Sequence, residues 1–179
     1  MFLGVKELLR LVSENGLVKN LCERELTNPE GAGFDLRMGE VYSISGRGYL
    51  GVEERKTCDI ETVAVYDDGK TTSTLWKPGD FRLVKTIEEV SIPEDCVGIL
   101  KPRSTLQRMG LILRATQIAP GYTGGLVVAV VNSGPCEVEV EMGARFLHLM
   151  VARLEGEGSA YRGQWQGGRV TTTEMEKQV

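Results

Sequence analysis

The run "TSTLWKPGDFRLVKTI", Thr72 to Ile87, sets two short segments rich in β-branched and aromatic residues on either side of Lys77-Pro78-Gly79-Asp80. Pro presets a turn-forming φ and Gly tolerates left-handed backbone, so these four residues predict a tight turn between strands. The same rhythm extends in both directions. Upstream stand "FDLRMGEVYSI" (Phe34 to Ile44), the glycine-punctuated run from Gly46 to Gly51, and "TVAVY" (Thr62 to Tyr66) closed by Asp67-Asp68-Gly69. Downstream stand "GLVVAVVN" (Gly125 to Asn132), Ser133-Gly134-Pro135, "CEVEVE", Met142-Gly143 and "ARFLHLMVARL". Many short strands closed by Gly and Pro turns predict an all-β domain built as a sandwich, jelly roll or barrel. Helical spacing is confined to Val5–Glu14, where Leu8, Leu9 and Val12 recur on one face and Asn15-Gly16 forms a stop.

At 179 residues, 41% hydrophobic and 26% charged, the chain fits one globular domain. No internal repeat or low-complexity linker divides it, so residues 1–168 read as one unit. The polar run 169–179, "RVTTTEMEKQV", reads as a tail that is mobile unless a partner orders it. No apolar run reaches the roughly 20 residues of a membrane helix. The opening "MFLGVKELLRLVSENG" lacks a secretory signal pattern, so the expectation is a cytoplasmic protein without a membrane partner. Cys22, Cys58, Cys96 and Cys136 lie 36 to 40 residues apart with no CxxC pair, and His148 is the single histidine. That pattern predicts buried free thiols in preference to a zinc site, and it speaks against Ser/His/Asp or Cys/His catalysis.

Charge is unevenly spread. From Val97 to Cys136 the chain has Lys101, Arg103, Arg108 and Arg114 and no acid, so this segment carries +4 and the remainder −8, for a net −4. A basic segment in an acidic protein suits a small polyanion in a pocket better than a nucleic-acid backbone, which needs a broader basic face. Within it, "KPRSTLQRMG" predicts one helical turn with Ser104 as N-cap and Gly110 as stop. A hydroxyl, free helix-terminal amides and the two planar cations Arg103 and Arg108 are the elements of a phosphate cradle, although an ordinary capped surface turn reads much the same. The stretch "QIAPGYTGGLVVAVVN", Gln117 to Asn132, is uncharged; its "APGYTGG" predicts a tight turn between two apolar strands, with Gly121, Gly124 and Gly125 allowing close approach to the backbone and Tyr122 offering a flat face to a sugar or base, although a buried hairpin with a packed Tyr reads the same. "AYRGQWQGG", Ala160 to Gly168, is a candidate lid or a loop that ends the fold.

These three runs, in order with "GAGFDLRMG" before them and "GARFLHLM" between hairpin and lid, resemble the dUTPase and dCTP deaminase superfamily, especially its archaeal-type branch, from about Gly33 to Gly168. The resemblance implies a distorted jelly roll, a homotrimer with active sites built between subunits, and a ligand such as dUTP or dCTP with Mg²⁺ on its phosphates. By the same resemblance Asp35 helps organise the metal and phosphate end or supports the fold. Arg103 and Ser104 contact phosphates, while Ser104 and Arg108 also border the reacting base. Ile118 belongs to the pyrimidine-reading hairpin, and Tyr122 lies under the deoxyribose. Arg162, Gln164 and Gln166 are the lid's triphosphate contacts.

Two positions depart from the family pattern. The Asp that helps activate water in dUTP hydrolysis corresponds to Ala119, and the Glu that serves as general base in deamination corresponds to Ala129. A methyl group neither accepts a proton nor orients a water, and loss of a general base typically slows a reaction about 10²- to 10⁴-fold. A substitute carboxylate would have to come from Asp35, Glu94, Asp95, Glu137 or another subunit. The expectation is therefore a protein of pyrimidine deoxynucleotide metabolism, either a dUTP diphosphatase or dCTP deaminase of weakened activity or a catalytically silent binding homologue. His148 reads as a packing or subunit-contact residue.

Overall fold

The computed structural model describes residues 1–178. Helix α1 (Val5–Asn15) buries Leu8 and Leu11 and stops at Gly16, whose φ of 65° is left-handed. After the short β1 (Val18–Lys19) and α2 (Glu23–Thr27), strands take over. They are β2 (Phe34–Ser45), β3 (Tyr49–Leu50), β4 (Glu54–Lys56), β5 (Asp59–Val65), β6 (Ser73–Trp76), β7 (Phe81–Ser91) and β8 (Cys96–Pro102). Helix α3 (Ser104–Arg108) precedes β9 (Leu111–Arg114), β10 (Thr123–Asn132), β11 (Val138–Glu141), β12 (Arg145–Arg153) and β13 (Glu176–Lys177). The main sheet runs β8-β12-β2-β7-β10-β9, with β1 on β7 and β5 on β2; β11-β6 and β13-β4-β3 form two small sheets. Every pairing is antiparallel, giving the all-β, barrel-like jelly roll that the strand rhythm predicts.

Register explains the alternation in the sequence. Val41, Val84 and Val128 lie side by side across β2, β7 and β10 and are fully buried, so this row faces the core. The neighbouring row, Tyr42, Leu83, Ala129 and Arg114, must face the other way because side chains alternate along a strand. A bulge between Gly125 and Val127 breaks the alternation, and Thr86 completes it: the Leu126 N–H donates to Oγ1 at 3.0 Å, and the hydroxyl donates to the Glu88 carbonyl at 2.6 Å.

The turn at Lys77–Asp80 does not join two paired strands. Strand β6 pairs with β11, whereas β7 pairs with β2 and β10, so the turn is a corner between sheets. Asn132, fully buried, holds that corner: its amide donates to the carbonyls of Trp76 (2.9 Å) and Cys136 (2.8 Å), and its Oδ1 accepts from the Gly134 N–H (3.0 Å).

Three local expectations are corrected. Helix α3 starts at Ser104, and the N-cap position is Arg103, held in extended backbone as its N–H donates to Phe146 O at 3.0 Å. The loop before β10 is wider than a tight hairpin: β9 and β10 pair only from Arg114 and Ala129 outward, and Ile118 bridges instead to Gly98 on β8. The run after Gly168 is held by its own chain: β13 pairs with β4, Thr172 is buried against Thr57, and Arg169 is paired with Glu176. Asn132→Ala should destabilise the fold by about 2–4 kcal/mol, because it strands several buried polar groups at once; urea unfolding of the two proteins measures it.

Candidate functional site

The residues singled out by sequence separate into two groups. The first surrounds Asp35 on β2. Its Oδ2 faces Arg103 at 2.8 Å and Arg145 at 3.1 Å, and its Oδ1 faces His148 Nδ1 at 2.9 Å. Beside it the buried Glu25 accepts the Asp35 N–H at 2.9 Å and pairs with Arg24 and Arg145. Burial alone would raise the Asp35 pKa, but the His148 hydrogen bond and the Arg103 and Arg145 guanidinium groups outweigh it and hold the carboxyl below its ordinary value. The close approach of β2 to β12 also needs Gly33, where a Cβ would stand 2.0 Å from the Leu149 carbonyl oxygen. Ser104 and Arg108 lie next to this cluster in sequence and are exposed, with Arg108 Nη1 donating to the Ser104 carbonyl at 3.0 Å.

The second group lines a cavity of about 820 Å³ on the outward face of β7 and β10. Ile118, Ala119 and Tyr122 come from the loop before β10, and Phe81, Leu83, Leu126 and Val127 form its apolar floor. The bulge lets the consecutive Leu126 and Val127 both reach it. Tyr122 donates its hydroxyl to Gly125 O at 2.7 Å and packs edge-on against Tyr161 at 5.4 Å; burial pushes its pKa up. Ala129 pairs in register with the cavity-lining Leu83, on the same face. The lid run closes over the hairpin: Tyr161 N–H donates to Pro120 O, Gly167 N–H to Thr123 O, and Gln166 bridges the Thr123 N–H and the Gly121 carbonyl. Gly124, at φ 137°, admits no side chain there, because a Cβ would lie 2.5 Å from the Gly167–Gly168 backbone.

A family model described as dCTP deaminase-like matches residues 2–154. The chain belongs to the dCTP deaminase-like family. It is 35% identical over 173 residues to a dCTP deaminase of Pyrobaculum arsenaticum, covering 96% of this chain and 95% of that one. It is also 35% identical over 175 residues to a protein of Aeropyrum pernix named probable deoxyuridine 5'-triphosphate nucleotidohydrolase, covering 93% and 98%. Among solved structures, a 2'-deoxycytidine 5'-triphosphate deaminase of Agrobacterium tumefaciens superposes with a TM-score of 0.64 at 16% identity, over 84% of this chain. The match spans 46% of that chain, about half the length of the Agrobacterium protein, and the likeness speaks for the fold. Membership of this family supports a role in nucleotide metabolism.

Against the dCTP deaminase-like pattern, the cavity holds Ile118, Ala119 and Tyr122 but not Arg103, Ser104 or Arg108. Gln164 and Gln166 are engaged in closing the lid, and Arg162 lines a smaller cavity with Ala119, Ser159 and Tyr161. No Asp, Glu or His lines the large cavity. Asp95 is paired with Arg153 and Asp35 with its three partners, so neither is free to replace the missing carboxylates. A directly bound resident metal does not fit Asp35 either, since both oxygens already face donor groups, and among the described residues no cluster of three or more His, Cys, Asp or Glu could hold one. Sequence reading placed Trp165 in the candidate lid, and it missed Arg55, Lys56 and Leu100 as cavity residues. The glycine-punctuated run just before the first two offered only a turn signal, because nothing local says which distant cavity a surface hairpin will cover.

Asp35→Asn should cost about 2–4 kcal/mol at neutral pH, as it leaves three cationic or donor groups facing an uncharged amide. A depressed carboxyl pKa stabilises the fold above the ordinary value of about 4 and loses that contribution as pH falls through the folded value. The gap between the two proteins in denaturant unfolding should therefore shrink toward pH 3; a constant gap would contradict this account.

Proposed function

We propose that this protein binds dUTP or dCTP in the cavity closed by the lid and turns it over slowly or not at all. The observation that carries the reading is a cavity with the family's hairpin and lid but no carboxylate or histidine in its lining. In this reading the pyrimidine lies against Ile118 and the backbone of the loop, with Tyr122 beneath the deoxyribose. A base edge can be read there by uncharged groups, among them the Gln117 side chain and the Ala119 N–H, while the other main-chain groups from Ile118 to Tyr122 bond within the chain.

The phosphate-binding residues Arg103, Ser104 and Arg108 then reach the ligand from another copy of the chain in a homotrimer. Their absence from the cavity lining supports this, as does the apolar row of Phe81, Val131 and Ile112 across β7, β10 and β9, in which Phe81 and Ile112 remain substantially exposed. An apolar sheet face of this kind is stabilised when a second copy covers it. Mg²⁺ belongs to the triphosphate in this scheme, and the location is the cytoplasm. The second reading, a working dUTP diphosphatase or dCTP deaminase, is favoured by the 35% identity to proteins so named. It requires a general base from another subunit.

The test is to incubate the protein with dUTP and with dCTP plus Mg²⁺ and resolve the products by chromatography. Ala129→Glu should raise deamination of dCTP, and Ala119→Asp cleavage of dUTP, by about 10²-fold or more, the typical worth of a positioned base. Rapid turnover by the unaltered chain would refute the slow or silent reading. Calorimetry that detects no binding of either nucleotide would refute both readings.

A further inference from the structure

We propose that Arg55 and Lys56, on β4, form the anion end of the cavity and take phosphates of the bound nucleotide from the same chain that supplies the pyrimidine-reading loop. This deepens the function proposed above and rests on it for the identity of the ligand's base. The cavity lining contains three cations, Arg55, Lys56 and Arg169, and no acid. Arg169 is already committed, with Nε donating to Thr171 O at 2.9 Å and the guanidinium paired to Glu176.

Arg55 and Lys56 have no comparable partner. Arg55 donates one terminal nitrogen to the Gln164 amide oxygen and lies with its guanidinium 4.7 Å from the Trp165 ring centroid. Its Nε is buried and has no acceptor, the one such side-chain atom among the described residues. The Lys56 ammonium reaches only Asp59, at 3.9 Å and largely in solvent, which is a weak pairing. Cations at the edge of an apolar cavity without a compensating anion are costly, and a phosphate supplies that compensation. The apolar part of the lining, including Ile44, Phe81, Leu83 and Val127, cannot solvate a phosphate, and the polar Thr57, Thr116, Gln117 and Thr171 carry no positive charge. Ligand polarity follows: the base lies toward Ile118 and Tyr122, and the phosphates toward β4. Because Arg55 now touches only the lid residues Gln164 and Trp165, an anion engages its guanidinium together with a shift of the lid.

The experiment compares the unaltered protein with Arg55→Gln, Lys56→Gln and Gln178→Ala by titration calorimetry. The probes are tripolyphosphate, dUTP, dCTP, and the nucleosides deoxyuridine and deoxycytidine. Both charge-removing variants should weaken the three triphosphate-bearing probes about 10- to 100-fold, as loss of a charged hydrogen bond does, and leave the nucleosides unchanged. Gln178→Ala removes contacts of the tail with Gly51 and Val52 without removing a cavity cation, and should leave tripolyphosphate binding unchanged. Lys56 makes no lid contact, so Lys56→Gln keeps the test decisive where Arg55→Gln disturbs the lid. Unchanged triphosphate binding in both charge variants overturns the proposal, as does failure of the unaltered protein to bind tripolyphosphate. Equal weakening of nucleosides and triphosphates overturns it too. Tripolyphosphate bound and lost in the variants, with no preference for pyrimidine nucleotides, leaves the anion site standing while the pyrimidine reading falls.

Discussion

The Asp35 carboxylate is the constraint on which the geometry of the conserved-type motifs depends. It gathers Arg103 from the end of β8 and Arg145 and His148 from β12 onto one side of β2. A carboxylate this shielded from water is costly unless its oxygens are satisfied, so the three strands must meet in one register. That pairing holds Arg103 extended and sets the start of α3, and with it the position of Ser104 and Arg108. Of the two roles that the resemblance implies for Asp35, its contacts within one chain serve support of the fold, by anchoring the backbone that leads into α3.

The cavity is organised on the opposite principle. Its floor is apolar, its charge is confined to cations on β4 and the tail, and its uncharged polar side chains include Thr57, Thr116, Gln117 and Thr171. The lid is closed by main-chain bonds to the loop before β10 and by the tail strand β13 on β4. Loop, lid and the 46–58 segment are therefore joined by one continuous set of contacts.

Much of this was readable in the sequence, for identifiable reasons. Leu8, Leu9 and Val12 announce α1 because helical burial repeats near 3.6 residues, and Val41, Val84 and Val128 sit in strands whose alternation follows from a two-residue repeat. The uncharged stretch around β10 is explained by its two covered faces: Val128 and Val130 meet the core, and Leu126 and Val127 meet the cavity. Strand β8 escaped notice because Lys101 and Pro102 interrupt its apolar pattern, and pairing with β12 overrides weak local preference. The tail escaped because its ordering comes from β4, more than a hundred residues away, and composition carries no record of such a partner.

What the sequence by itself determined is local: the strand rhythm, the turns, the N-terminal helix, the motifs that place the chain near the dUTPases and dCTP deaminases, and the alanines at 119 and 129. Those properties depend on side-chain chemistry and on short-range backbone preference. Only the tertiary structure decided that "TSTLW" and "FRLVKTI" enter different sheets, that Arg103 turns to Asp35 and does not line the cavity, and that Arg55 does. The physical reason is that antiparallel pairing and charge compensation join residues far apart in the chain. Their partners are selected by the packing of the whole domain, and no window of sequence contains both members of the pair.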